Sequence, residues 1–360
     1  IKSKNSKSYL INDISVSDEV QMGGHGTRVA GAILYPKGIT SIPQPFQLPC
    51  FVRNIRVLNK ENKLEQKFPA ELMQKIVDEN SECPIFNLSI NSNSPFRLKH
   101  MSSWASMLDK LIHERGVLFI NSAGNIDKTT IREYINNGHS YPEYLLEANC
   151  RLANPAQSSF SIVVGSVNQL SINNLDWQTL GNEDQIAAYS RIGSGIWGHI
   201  KPDVVEYGGG IKISKNGLNL LSYKDTATEL ISSTLKGGSA YGKDTVGTSF
   251  ATPKITYIVT ELYKLYNSEE NFNNLIRALL VQGAKLPGNL LHNPTKIALQ
   301  QLGYGIPSFE RVIRNTEHRV TVYNTNSISA EKGQIYTIKI PKELRKPEDE
   351  YDFLIEVTLA

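Results

Sequence analysis

The sequence predicts an α/β protein with a mostly parallel sheet and helices on both of its faces. Three observations carry that expectation. Short apolar runs alternate with runs of helical periodicity through most of the chain. The strand-like runs are rich in β-branched residues, as strands covered on both faces are. From about Gly305 the alternation stops, and strand-like runs follow one another with no helix between them.

Taken in order, a glycine-rich turn around His25 leads into a helix over residues 27–34. Residues 51–58 read as a strand, 70–80 as a helix with Leu72, Ile76 and Val77 inward, and 84–90 as a strand. A helix over 104–115 and strands over 117–121 and 161–167 continue the series. After Ser249, apolar residues from Ile255 to Tyr266 recur at helical spacing, so a buried amphipathic helix runs to about residue 266. Residues 207–217 and 236–244, rich in glycine and lysine, read as surface loops. Residues 318–324, 334–340 and 352–360 read as strands of a small β-rich appendage. The expected division is therefore residues 1–304 and 305–360, the second part ending inside an apolar strand and read as cut there.

Composition narrows the class. With 40% hydrophobic and 20% charged residues among 360, the chain has the make-up of an ordered globular protein. A net charge of +3 is too small to imply nucleic acid as a partner. No apolar run reaches the roughly 18 residues of a membrane span, and no signal-peptide core opens the chain. Cys50, Cys83 and Cys150 are odd in number and widely spaced, which reads as three buried free thiols and, weakly, as a cytoplasmic setting.

Three short motifs carry chemistry. In "VGTSFATP", residues 246–253, Ser249 is either a nucleophile or only a helix cap, with Pro253 in a first turn that needs no donor. In "GGHGT", residues 23–27, His25 at the start of a helix would be held rigidly, as a general base requires. In "NSAGN", residues 121–125, Asn125 on a tight Ala123-Gly124 turn could donate to a developing oxyanion. Each has an ordinary reading as a loop or cap residue.

Together and in this order, the three motifs resemble the subtilisin-like serine peptidases, the subtilase family. The likeness runs over about residues 20–270 and includes the "IKPDVVEYGGG" stretch before the serine. It implies a serine endopeptidase that cleaves polypeptides through an acyl-enzyme, with no cofactor required and structural calcium left open. By the resemblance Ser249 is the nucleophile, His25 the general base, and Asn125 with the Ser249 N–H the oxyanion hole. Leu88, Ser89, Ile90, Asn91 and Gly124 would bind the substrate backbone, although the family often has a glycine where Asn91 stands. The C-terminal part resembles bacterial subtilases encoded beside AAA-type ATPases, which implies such an ATPase as a partner.

The family's aspartate is missing from its usual Asp-Ser/Thr-Gly setting. It is expected upstream of Ile1, with Asp13 as the candidate inside the chain and Asp18 next to it. The rival to an active peptidase is therefore a silent or partner-activated subtilase fold that binds or regulates. Residues 126–159 form a flap over the site, a partner surface or a simple surface insertion. His100, His113, His139, His199, His292 and His318 show no ligand spacing.

Overall fold

The computed structural model describes residues 6–13, 24–38, 45–59, 61, 63–92, 94–216, 221–231, 241–243, 245–288, 295–316, 319–339 and 355–360. Its first half runs β1 (Ser6–Ser8), α1 (His25–Leu34), β2 (Asn54–Arg56), α2 (Pro69–Glu79), β3 (Ile85–Leu88), α3 (Ser103–Arg115), β4 (Leu118–Ser122), α4 (Lys128–Asn136) and β5 (Ile162–Val167). There follow β6 (Trp177–Thr179), β7 (Val204–Tyr207), β8 (Lys212–Ser214), β9 (Leu221–Ser222), β10 (Leu230–Ile231) and β11 (Tyr241–Gly242). The chain continues with α5 (Thr248–Tyr266), α6 (Phe272–Gly283), β12 (Ala284–Lys285), α7 (Lys296–Leu302), β13 (Ile306–Pro307) and α8 (Phe309–Ile313).

The central sheet is parallel throughout, in the order β3-β4-β5-β7. Alternation along β4 shows why it needs cover on both sides. Leu118 and Ile120 face α5 and α6, where Ile255, Val259, Leu262, Ile276 and Leu280 complete one core. Phe119 faces α2 and α3, joining Leu72, Ile76, Trp104, Leu108 and Ile112 in another. The helix signals are local. Ser102 caps α3 by accepting from Ala105 N, and Gly116 at φ 64 ends it with its N–H on the Ile112 carbonyl.

Several boundaries differ from the sequence reading. The strand read over 51–58 has a ladder only at Asn54–Arg56, where β1 offers three residues to pair with, and Leu58 adds an isolated bridge to Leu64. Helix α2 stops at Glu79, and Asn80 turns inward, donating to Tyr9 Oη (2.9 Å) and the Ile76 carbonyl (2.7 Å). Within the stretch read as the first surface loop, Gly208, Gly209, Gly210 and Ile211 are buried; of the second loop, residues 236–240 and 244 lie outside the described residues.

The change of pattern expected at Gly305 comes later. Gly305 O accepts from Val205 N (3.0 Å), β13 pairs antiparallel with β12, and Val312 of α8 is buried against α6. Among the described residues beyond α8, only the isolated bridge Thr316–Arg319 pairs, so the strands read there have no ladder. Val320, Val322, Ile335 and Leu359 stand exposed. Cys150 is buried and Cys50 and Cys83 are half-buried, all three free. No helix among the described residues is long and apolar enough to cross a membrane.

Two devices fix the layers that will carry the site. Lys201, buried, donates to Asp203 Oδ2 (2.6 Å) and to the Ser161 carbonyl (2.7 Å), while Asp203 Oδ2 accepts from Val163 N (2.7 Å). The paired charge ties the start of β5 to that of β7 and leaves the ammonium satisfied. Gly31 lets α1 lie against β10, since a Cβ there would overlap the Ile231 carbonyl oxygen. In an exposed helix Gly31→Ala would gain about 1 kcal/mol. Here it should instead destabilise by about 1–3 kcal/mol, read as a lower midpoint of urea unfolding at unchanged slope.

Candidate active site

The C-terminal ends of β3 and β4 meet the N-terminus of α5, where parallel sheets gather functional groups. At the end of β4, Gly124 takes φ +100, and a Cβ there would lie 2.9 Å from both Ala153 Cβ and Arg191 Cδ. Only glycine fits this turn. Arg191 holds the turn from outside, its N donating to Gly124 O (3.1 Å) and its Nε to Asn125 O (3.1 Å).

The turn delivers Asn125 to α5. Thr248 N and Thr248 Oγ1 both donate to Asn125 Oδ1 at 3.0 Å. A backbone N–H can only donate, so the atom it meets is the carboxamide oxygen and the NH2 faces the other way. A methyl group on Gly247 would lie 3.3 Å from Asn125 Nδ2 and 3.7 Å from Ser249 N. The two nitrogens therefore border one small space, and neither has an acceptor among the described residues.

Ser249 is the second residue of α5 and is buried. Pro253 is the sixth residue of the helix, beyond the turn that needs no donors. With no N–H, it deprives the Ser249 carbonyl of its helical partner. Ser89 replaces that partner, its Oγ donating to Ser249 O at 3.3 Å, while Ser249 Oγ donates back to Ser89 O at 3.3 Å. The helix N-terminus also places Ser249 where negative charge is favoured.

His25 opens α1, behind Gly24 in the left-handed region at φ 56. Because α1 packs on α5, the imidazole lies 5.5 Å from the ring of Phe250, next to Ser249. No hydrogen bond joins His25 to Ser249 in this arrangement, the serine hydroxyl being on Ser89. His25 is exposed at the surface of the fold. The protein around its ring, and then the Arg28 cation, push its pKa below the usual histidine value.

Beyond Leu88, itself buried against Phe119, the chain leaves the sheet. Ile90 packs on the same core, while Asn87, Ser89 and Asn91 face α5 and the end of β4. The parallel ladder, continued in register, would place the Ile90 N–H on the Ser122 carbonyl. Asn91 Nδ2 takes that carbonyl instead, at 2.7 Å. The backbone groups of Ser89 and Asn91 turn away from β4, and an extended chain can pair with them there.

The chain matches the family model for subtilases, peptidase family S8, over residues 2–305. It belongs to the subtilase family. It is 28% identical over 315 residues to the uncharacterized protein y4bN of Sinorhizobium fredii, covering 81% of this chain and 70% of that one. Two solved structures share the fold. One is a lanthipeptide protease, at TM-score 0.54 and 17% identity, covering 87% of this chain and 81% of that chain. The other is the epidermin leader peptide processing serine protease of Staphylococcus aureus, at TM-score 0.50 and 16% identity, covering 82% of this chain and 64% of that chain. As a subtilase the chain is a serine peptidase, and its substrate is a polypeptide.

Two expectations change in this subtilase. Asp13 does not serve His25. The pairing of Ser8 with Arg56 brings the residues after β1 beside β2, where Asp13 Oδ2 is ion-paired with Arg56 at 2.9 Å. Among the described residues the charge acting on His25 is that of Arg28. Asp18 and Gly23 lie outside the described residues. Nor is 126–159 a loose flap: its first part lies at the surface but is held by buried anchors. Ile131, Tyr144, Leu145 and Cys150 are fully buried, and Tyr141 Oη and Tyr144 Oη donate to the Ile186 and Ala188 carbonyls at 2.5 Å.

The sequence reading missed Thr248, Arg191 and Ser122, whose parts depend on contacts across the chain. Among the described residues no group of three or more His, Cys, Asp or Glu could hold a metal ion.

The lowered pKa of His25 has a definite sign. Folded His25 binds its proton less readily than unfolded His25, so its contribution to stability is present above the unfolded value of about 6.5 and is lost as pH falls below it. An NMR titration of the imidazole should show a midpoint below 6.5, and Arg28→Gln should move that midpoint upward.

Proposed function

We propose that Ser249 attacks the scissile peptide carbonyl while His25 takes the serine proton, and that His25 then gives this proton to the leaving amine. Water, activated by His25 in turn, hydrolyses the acyl-enzyme and restores the serine. Asn125 Nδ2 and the Ser249 N–H bind the oxyanion. One observation carries this reading: Thr248 occupies Asn125 Oδ1 twice, so the carboxamide presents its NH2 beside the Ser249 N–H.

The Ser249–Ser89 contact supplies a coupling. Ser89 O is also the acceptor that faces an incoming extended chain. A substrate N–H that takes this carbonyl removes the partner of the Ser249 hydroxyl, which is then free to turn toward His25. Substrate binding and nucleophile release become one event. The AAA-type ATPase partner is supported by the C-terminal resemblance alone.

A fluorophosphonate should form an adduct at Ser249, located by mass spectrometry and absent in Ser249→Ala. An unlabelled chain would leave the fold as a binding or regulatory module. Asn125→Ala should lower turnover by about 10²–10³-fold, a magnitude borrowed from subtilisin, with little change in KM. An equal loss in KM would instead make Asn125 a ground-state binding group.

A further inference from the structure

Beyond Leu88 and Asn121, the last pair of their ladder, β3 and β4 part, and a wedge opens between them beside Ser249. Ser89, Ile90 and Asn91 form one wall, and Ser122, Ala123 and Gly124 the other. Asn91 spans the gap: its Nδ2 donates to Ser122 O (2.7 Å), and its Oδ1 accepts from Ser122 Oγ (2.6 Å). Ser122 is fully buried, so these bonds satisfy groups that water does not reach. One residue on, the walls are tied again. Ser92 N donates to Asn154 O (2.7 Å), and Ala153 N donates to Ala123 O (3.1 Å).

On the peptidase reading above, on which this inference rests, the residue before the cut reaches from wall to wall. Its N–H meets the Ser89 carbonyl, and its carbonyl oxygen lies between Asn125 Nδ2 and the Ser249 N–H. Its side chain then projects into the wedge. We infer that Asn91 sets the specificity of this site, restricting the residue before the cleaved bond to glycine, alanine or serine. A leucine or phenylalanine needs the volume that the Asn91 carboxamide fills. Admitting it breaks both bonds and strands the buried hydroxyl and carbonyl of Ser122. Discrimination that leaves buried polar groups unpaired is stronger than exclusion by size alone.

The test uses the full chain and two peptidyl diphenyl phosphonates identical except for alanine or phenylalanine at the reacting position. The readout is the ratio of their rate constants for modifying Ser249, so a general change in reactivity cancels. The chain should favour alanine by about tenfold or more, and Asn91→Gly or Asn91→Ala should each cut that ratio by about tenfold. Either variant suffices if the other does not fold. Phenylalanine reacting as fast as alanine in the unsubstituted chain, or a ratio unmoved in the variants, overturns the role of Asn91. Failure of a simple fluorophosphonate to modify Ser249 has a different meaning, because it removes the peptidase reading and this inference with it.

Discussion

The site depends on one clasp, in which Asn125 Oδ1 accepts from both the N–H and the hydroxyl of Thr248. It joins the turn after the second strand of the sheet to the first residue of the buried helix. Gly124 makes the turn possible, Arg191 holds its outer side, and Ser249 follows Thr248 directly. The clasp also decides polarity. With the oxygen occupied, the carboxamide can only offer hydrogens to the cleft, and the neighbouring helix N-terminus offers another.

Around the clasp, one polar face runs along β3 and past its end. Asn87 meets Thr256, Ser89 meets Ser249, and Asn91 meets Ser122. The opposite face of the same strand, Phe86, Leu88 and Ile90, lies in an apolar core. The period of two thus aligns a row of hydrogen-bonding side chains against α5 and the end of β4 while the other row anchors the strand. Pro253 makes the middle contact specific by leaving the Ser249 carbonyl without a helical donor.

Much of this was legible in the sequence, for physical reasons. The alternation of apolar strands and amphipathic helices encodes a two-sided parallel sheet, and α5 extends to Tyr266 as its periodicity predicts. Gly124, Asn125 and Ser249 were readable because tight turns and helix starts demand particular residues locally. What lay beyond reach was tertiary. Asn91 in the sequence is only a residue in a glycine's place, and its bridge to Ser122 exists because two strand ends diverge. Asp13 resembled a strand-end acid until β2 brought Arg56 beside it. The C-terminal runs alternate as strands do, yet the described residues supply no neighbouring strand to pair with.

The long connection between Asn125 and Ser161 bears on a hazard peculiar to peptidases, which are surrounded by copies of themselves. To be cut, a segment must come loose and lie extended in another molecule's cleft. Tyr141 and Tyr144 anchor this connection to interior carbonyls, and Ile131 and Leu145 sit in the core. Freeing it therefore means opening much of that core. Its resistance to self-digestion is thereby coupled to the stability of the whole domain, and conditions that weaken the core would expose the enzyme to itself.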